Sequence, residues 1–405
     1  MNKLLYIAIA LLALIIPTHT SAATDTQEEL ARCDAKIHKA LKSLGATDGK
    51  ADYSMMPRNI EGDATTWHCR PATPEEWCSG FWARLLGMDY AATGDEKVRR
   101  QAERYTAALK PILERPVYDH DLGFLFFCSY GKGYEATGDE AYRAVILQAS
   151  DSLATLFNPT VGTLLAWPRH VKDFGGHNTI MDTMMNLEML FWAARHGGDP
   201  ALRDIAVRHA ETTMRHHFRP DATCYHVAVY DTVTGDFLRG CTHQGYSDSS
   251  VWARGQAWAV YGYTACYRYT GDKRYLDHAR KVAGFMLDDK NMPADLVPYW
   301  DYDAPNIPNE PRDVSTAAII ASAFYEMYTY TGDGLYKQKA DRIVESLSSP
   351  AYRAPVGGNG GFLLMHSVGS IPHGSNIDVP LNYADYYFLE ALIRKGRLEA
   401  GEPLF

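Results

Sequence analysis

Tyr267-Arg268-Tyr269-Thr270-Gly271-Asp272-Lys273-Arg274-Tyr275-Leu276 is the stretch on which the reading of the fold turns. An aromatic, apolar run stops at Thr-Gly-Asp, and a charged amphipathic run begins. Glycine suits the left-handed position that ends a helix, and aspartate is a favoured N-cap for the next one. The stretch therefore predicts a tight turn between two antiparallel helices. The same punctuation stands at Thr93-Gly94-Asp95, Thr137-Gly138-Asp139, Gly197-Gly198-Asp199 and Thr331-Gly332-Asp333. Recurrence at this spacing marks a repeated helical hairpin.

Working outward from these turns, two classes of helix separate. The segments after them, residues 96–113, 141–157, 201–218, 274–287 and 335–347, are amphipathic, and residues 28–44 match them. The segments before them, residues 80–92, 123–136, 181–194, 251–269 and 315–330, are apolar nearly all round, as are residues 383–394. A helix with one polar face lies outside, and one apolar on every side lies inside. Six outer and six inner helices in alternation predict an all-α fold, an (α/α)6 barrel, in one domain over residues 23–405.

The inner-to-outer turns are short. The outer-to-inner connections are long (45–79, 159–179, 220–250, 290–314 and 350–382) and rich in Trp, Tyr, His, Pro and Gly. They gather over the N-termini of the inner helices, where unpaired N–H groups favour an anionic ligand. Long loops in compact domains usually carry function. The site is expected at this mouth.

Composition narrows the classes. With 405 residues, 46% hydrophobic and a formal charge of −9, the chain can bury a large core and lacks the basic character of a general nucleic-acid binder. Met1-Asn2-Lys3, the apolar run of residues 4–16, Pro17 and Ser21-Ala22-Ala23 read as a signal peptide over residues 1–22. That run is shorter than the roughly 20 residues of a membrane span. Export is expected, to the periplasm of a Gram-negative bacterium, with no membrane anchor in the mature form. The seven cysteines are scattered without metal-ligand spacing, so neither a metal nor a cofactor is expected. A Cys224–Cys241 bridge is conceivable.

Two carboxylates fall at inner-helix starts, Asp121 in His120-Asp121-Leu122-Gly123-Phe124 and Asp182 in Asp182-Thr183-Met184-Met185-Asn186-Leu187. Either alone reads as an N-cap. As a pair facing one mouth they suit acid/base work, because like charges raise one member's pKa. Trp252, Arg254 and Trp258 occupy the first turns of the fourth inner helix. Arginine offers a fork to a carboxylate and tryptophan a face to a sugar, although Arg254 could equally serve a buried ion pair. Trp77 is the better sugar platform and Trp82 the better core residue. His226 lies in an extended part of a long loop.

These residues, with Gly80-Phe81-Trp82, His243-Gln244-Gly245, Trp252-Ala253-Arg254-Gly255-Gln256-Ala257-Trp258 and Asp385-Tyr386-Tyr387-Phe388-Leu389-Glu390-Ala391-Leu392, resemble glycoside hydrolase family 88, the unsaturated glucuronyl hydrolases. The resemblance implies the same barrel and the release of a 4,5-unsaturated uronic acid from the non-reducing end of lyase-generated oligosaccharides, by hydration of the C4=C5 enol ether. It implies that Asp182 is the general acid and base and that Asp121 tunes it. His226, Gln244, Trp252, Arg254 and Trp258 would line the uronate pocket, with Trp77 stacking on the substrate, an unsaturated uronate oligosaccharide. Arg169 and Lys172 could meet a sulfate. One alternative is an unsaturated rhamnogalacturonyl hydrolase of family 105, which shows Gly-Asn-Gly-Trp where this chain has Gly255-Gln256-Ala257-Trp258. The other is a glycan-binding barrel without catalysis, which would need neither aspartate.

Overall fold

The computed structural model describes residues 25–61 and 67–405, so the signal peptide read in residues 1–22 lies outside it. The chain opens with α1 (Thr26–Ser43), a hairpin of β1 (Met55–Asn59) and β2 (His68–Pro71), then α2 (Ser79–Thr93) and α3 (Glu96–Ala107). A π-helical stretch, Gly123–Gly131, runs directly into α4 (Lys132–Thr137), and α5 (Glu140–Ala154) follows. Next come β3 (Phe157–Asn158), β4 (Thr163–Leu164), α6 (Val171–Phe174), β5 (His177–Ile180), α7 (Thr183–Arg195) and α8 (Ala201–His216). After β6 (Val227–Tyr230) and β7 (Phe237–Cys241) stand α9 (Ala253–Thr270), α10 (Lys273–Asp288), α11 (Val314–Thr331) and α12 (Gly334–Leu347). The hairpin of β8 (Ser367–Ser370) and β9 (Ser375–Val379) precedes α13 (Asn382–Ala400).

The helices α2, π–α4, α7, α9, α11 and α13 each touch the next, and α13 returns to α2, closing an inner ring. The amphipathic α1, α3, α5, α8, α10 and α12 pack around it. This is the (α/α)6 barrel expected from the sequence. The turns form as their residues dictate. Gly94, Gly138, Gly271 and Gly332 take φ of +73°, +66°, +71° and +65°, a region costly for residues with a Cβ. Asp95, Asp139, Asp272 and Asp333 accept the N–H of the residue two further on. The preceding threonine hydroxyl accepts the N–H of that same aspartate, at 3.1–3.2 Å. The Gly197-Gly198-Asp199 copy lacks the threonine. There Asp199 still accepts the Ala201 N–H, with Pro200 as the cap of α8.

Two local features depart from the all-helical expectation. The long connections carry short antiparallel hairpins and one three-stranded sheet of order β5-β6-β7. The second inner helix begins as a π-helix, a form frequent at functional sites. Its start is pressed against α7, since a Cβ on Gly123 would lie 2.5 Å from Asn186 Oδ1 and 2.7 Å from its Cα. Only glycine permits that approach. Cys224 and Cys241 are both free thiols.

Inside the ring the C-terminal halves of the inner helices bury charge in compensated form. Arg268 joins Glu326 at 2.7 Å and also Glu188, and Arg394 reaches Glu326 at 3.1 Å. This network closes the end opposite the mouth. Asp89 on α2 is compensated less well. It is buried, and its Oδ2 has no hydrogen-bond partner among the described residues. Burial, then the charges of Asp34 and Asp95, push its carboxyl up to about 7. A carboxyl raised in the folded state favours folding at low pH, and that benefit is lost as pH rises through the folded value. Asp89→Asn is therefore expected to raise the melting temperature by a few degrees near about pH 8, with the gain shrinking toward about pH 4. Thermal melts across that range check it; a gain independent of pH would contradict the assignment.

Candidate active site

The connections entering α2, the π-helix, α7, α9 and α13 all contribute to one cavity of about 830 Å³ at the mouth of the ring. Asp121 and Asp182 both line it, together with Trp77, Gln244 and Arg254.

The β5-β6-β7 sheet brings Asp182 and His226 together. Ile180 pairs with Val227, and the Met181 N–H donates to the His226 carbonyl at 3.1 Å, so the residues beyond the paired strands meet at the cavity. His226 Nδ1 accepts the N–H groups of His243 (3.2 Å) and Gln244 (3.1 Å). An imidazole nitrogen accepting two N–H groups carries no proton, so the His226 proton sits on Nε2. That atom faces Asp182 Oδ2 at 3.5 Å. Neither atom has a hydrogen-bond partner among the described residues. The Asp182 side chain makes no capping bond to α7, which removes the N-cap reading for it.

Asp121 ends the neighbouring connection. His120 Nδ1 meets Thr183 Oγ1 at 2.9 Å, while its Nε2 stands 3.4 Å from Asp121 Oδ1. Asn186 Oδ1 accepts the Phe124 N–H at 3.0 Å, pairing one of the free donors at that helix start. Thr183 and Asn186, one turn apart on α7, thus hold the element that carries Asp121.

The two carboxyls differ in charge. Burial, then the charges of Asp119 and Asp182, hold the Asp121 carboxyl well above the usual aspartate range. Burial also works to raise Asp182. The His226 contact, His120 and the Arg254 guanidinium together outweigh it and hold Asp182 below its ordinary value. Burial lowers His120 to about 4, leaving it uncharged at neutral pH, where His226 and Arg254 remain to oppose burial. The two carboxyls are split, but in the opposite sense to a raised Asp182 tuned by Asp121: Asp121 is the raised member and Asp182 the lowered one.

Arg254 is almost wholly buried and reconciles its two sequence readings. Its guanidinium bonds Asp313 Oδ2 at 3.0 Å and the Gly369 carbonyl at 2.7 Å, and still lines the cavity. Asp313 caps α11 and also accepts from Ser315 and Thr316. Trp77 lines the cavity, its ring packed on Phe124 and Tyr383.

Three expected pocket residues do not line the cavity: His226 stands behind Asp182, and two tryptophans lie elsewhere. Trp252 stands behind the wall, its ring 4.4 Å from His226 and 4.5 Å from the Arg254 guanidinium, where it supports both. Trp258 is fully buried against Phe124 and Tyr387. It shares a helix face with Arg254 but sits one turn deeper, and Phe124 from the π-helix fills the space toward the mouth. Lys172 is exposed and away from the cavity, whereas Arg169 lines it.

The sequence reading missed Asp119, His120, Trp167, His243 and His373, all on the cavity wall. Their signal was concentration in long connections. Burial lowers His243 to about 3, which makes that side of the wall neutral at physiological pH.

Comparison with known proteins agrees with this geometry. Residues 50–265 match the family described as Glycosyl Hydrolase Family 88. An unsaturated glucuronyl hydrolase of Formosa agariphila is 38% identical over 98% of this chain and 99% of its own length. A crystal structure of an unsaturated glucuronyl hydrolase specific for heparin superposes with a TM-score of 0.86 at 40% identity, covering 93% of this chain and 98% of that one. A Streptococcus agalactiae enzyme variant complexed with dGlcA-GalNAc6S superposes with a TM-score of 0.76 at 29% identity, covering 93% of each chain. The chain belongs to Glycosyl Hydrolase Family 88.

Proposed function

We propose that this chain removes the 4,5-unsaturated uronic acid from lyase-generated oligosaccharides derived from glycosaminoglycans, with Asp121 and Asp182 sharing the working proton. The observation that carries this reading is a pair of carboxyls, one raised and one lowered, in the same cavity as a fixed guanidinium. The relatives above are unsaturated glucuronyl hydrolases, which favours this reading over the rhamnogalacturonyl alternative.

The uronate carboxylate is drawn to Arg254 and Gln244, with Trp77 offering a face to the sugar ring. Docking an anion beside Asp182 and expelling water both disfavour its charged form. The proton stored on Asp121 then passes to Asp182, which adds it to C4. The cation left at C5 is stabilised by the ring oxygen. Ionised again, Asp182 takes a proton from water as the water oxygen bonds to C5. The resulting hemiketal breaks its C5–O bond, and the hemiacetal left at C1 expels the next sugar. Net, one water is consumed and no bond at the anomeric carbon is displaced directly, so carboxylate separation does not report stereochemistry here.

Incubation with an unsaturated glycosaminoglycan disaccharide is expected to abolish the ultraviolet absorbance of the enol ether and to release both sugars. Binding with that absorbance retained would overturn the reading in favour of a glycan-binding barrel.

A further inference from the structure

A third carboxylate stands on the cavity wall beside the acid/base pair, and no step above uses it. Asp119 is buried, and its Oδ1 accepts the Asp121 N–H at 3.2 Å. Its Oδ2 meets Arg169 Nη1 at 3.3 Å. Arg169 comes from the 3-10 turn Pro168–His170, and its guanidinium lies 4.2 Å over the Tyr118 ring. The guanidinium is thus gripped from two sides while lining the mouth. Four carboxylates, those of Glu75, Asp119, Asp121 and Asp182, share the cavity wall with Arg254 and with the Arg169 guanidinium held between ring and carboxylate.

The groups facing this cluster come from every surrounding element, with Glu75 before α2, His243 before α9 and His373 between β8 and β9 among them. His120 stands beside Asp121 on the same connection, Asp182 at the start of α7 and Arg169 on the 3-10 turn. His226 precedes β6, and Arg254 lies in the first turn of α9. His120 is uncharged at neutral pH, and Arg254 is committed to Asp313. Asp119 is paired with Arg169 and adjoins Asp121, to whose backbone it is bonded, so its placement distinguishes Asp121 from Asp182; burial raises the Asp119 carboxyl itself, against the pull of the Asp121 N–H and of Arg169.

We infer that Asp119, bonded to the Asp121 backbone and held by Arg169, is a positioning residue of the acid/base pair: its carboxylate biases the shared proton toward Asp121 over Asp182. This rests on the proposed hydration chemistry and deepens it. Asp119 acts through charge on a neighbour and does not touch the reacting atoms. Arg169 sets the strength of the effect, since its own positive charge partly cancels that of Asp119.

The test is the pH profile of kcat/KM on an unsaturated disaccharide for wild type, Asp119→Asn and Arg169→Met, with thermal melts alongside. Losing the pair's proton defines the alkaline limb. Asp119→Asn removes the charge that holds that proton, so the limb moves to lower pH by about 1 to 3 units. Arg169→Met leaves Asp119 uncompensated, so the limb moves the other way. A merely structural role predicts lower melting temperatures with both limbs in place. Unmoved limbs, or limbs that move in the same direction, overturn the inference. Arg169 is partly exposed, so its variant remains informative should Asp119→Asn misfold. An inactive wild type would instead sink the proposed function. Carbon NMR titration of the aspartate carboxyls in substrate-free protein then still reads whether Asp119→Asn lowers the Asp121 midpoint.

Discussion

Asp182→Asn is expected to lower kcat by about 1000-fold or more while leaving the helical fold and its melting temperature intact. General acid–base catalysis contributes about 100- to 10,000-fold, and this residue is assigned both halves of it. The fold tolerates the change for a local reason. Asp182 caps no helix through its side chain, and its Oδ2 bonds nothing among the described residues. The amide is isosteric and removes a buried charge. Loss of enol-ether absorbance measures the rate, and circular dichroism measures the fold. Turnover near the wild-type rate would refute the role. Asp121→Asn is the instructive companion, since it replaces a carboxyl raised by burial with a neutral amide that cannot release a proton. Because the two carboxyls are coupled, the limbs of the wild-type profile belong to the pair rather than to either residue.

The second large effect is expected from Arg254→Ala, and it falls on both affinity and stability. Removing the guanidinium strips the cavity of its fixed partner for the uronate carboxylate, and a lost buried charge pairing of this kind costs about 2 to 5 kcal/mol of binding. KM should rise by about 30-fold or more. The same substitution leaves Asp313 buried without its cation at 0% exposure. Breaking a buried ion pair by deleting one partner costs about 3 to 5 kcal/mol, so the melting temperature should drop by several degrees. The double variant Arg254→Ala/Asp313→Asn separates the two roles. It should recover much of the lost stability and none of the lost affinity. If affinity for the disaccharide is unchanged in the single variant, Arg254 is a structural residue only.

How much of this was legible in the chain depended on the range of the interactions involved. The Thr-Gly-Asp turns could be read because their physics is local: a left-handed glycine, an aspartate bonding two residues ahead and a threonine hydroxyl closing the loop. The inner helices could be read because residues such as those of α9 and α11 are apolar on every face. The π-helix at Gly123–Gly131 could not, since its start packs against Asn186 of the neighbouring α7, a contact distant in sequence. Trp252 and Trp258 were placed in the pocket by the family resemblance, and helical spacing, which gives the face of a helix and not its depth, could not test that. Asp119, His120 and His243 reached the wall through loop paths that no periodicity announces.

By itself, then, the sequence determined a ring of six hairpins, the end at which its long connections gather and the pair of aspartates at that mouth. Each of these follows from interactions within a few residues or from the hydrophobicity of a whole helix face. Only the tertiary structure decided which aspartate is raised and which lowered, which nitrogen of His226 carries its hydrogen and that Arg254 is clamped before any substrate arrives. Those outcomes depend on burial and on charges brought together from distant parts of the chain. A carboxyl's pKa is a property of its surroundings, and folding supplies the surroundings.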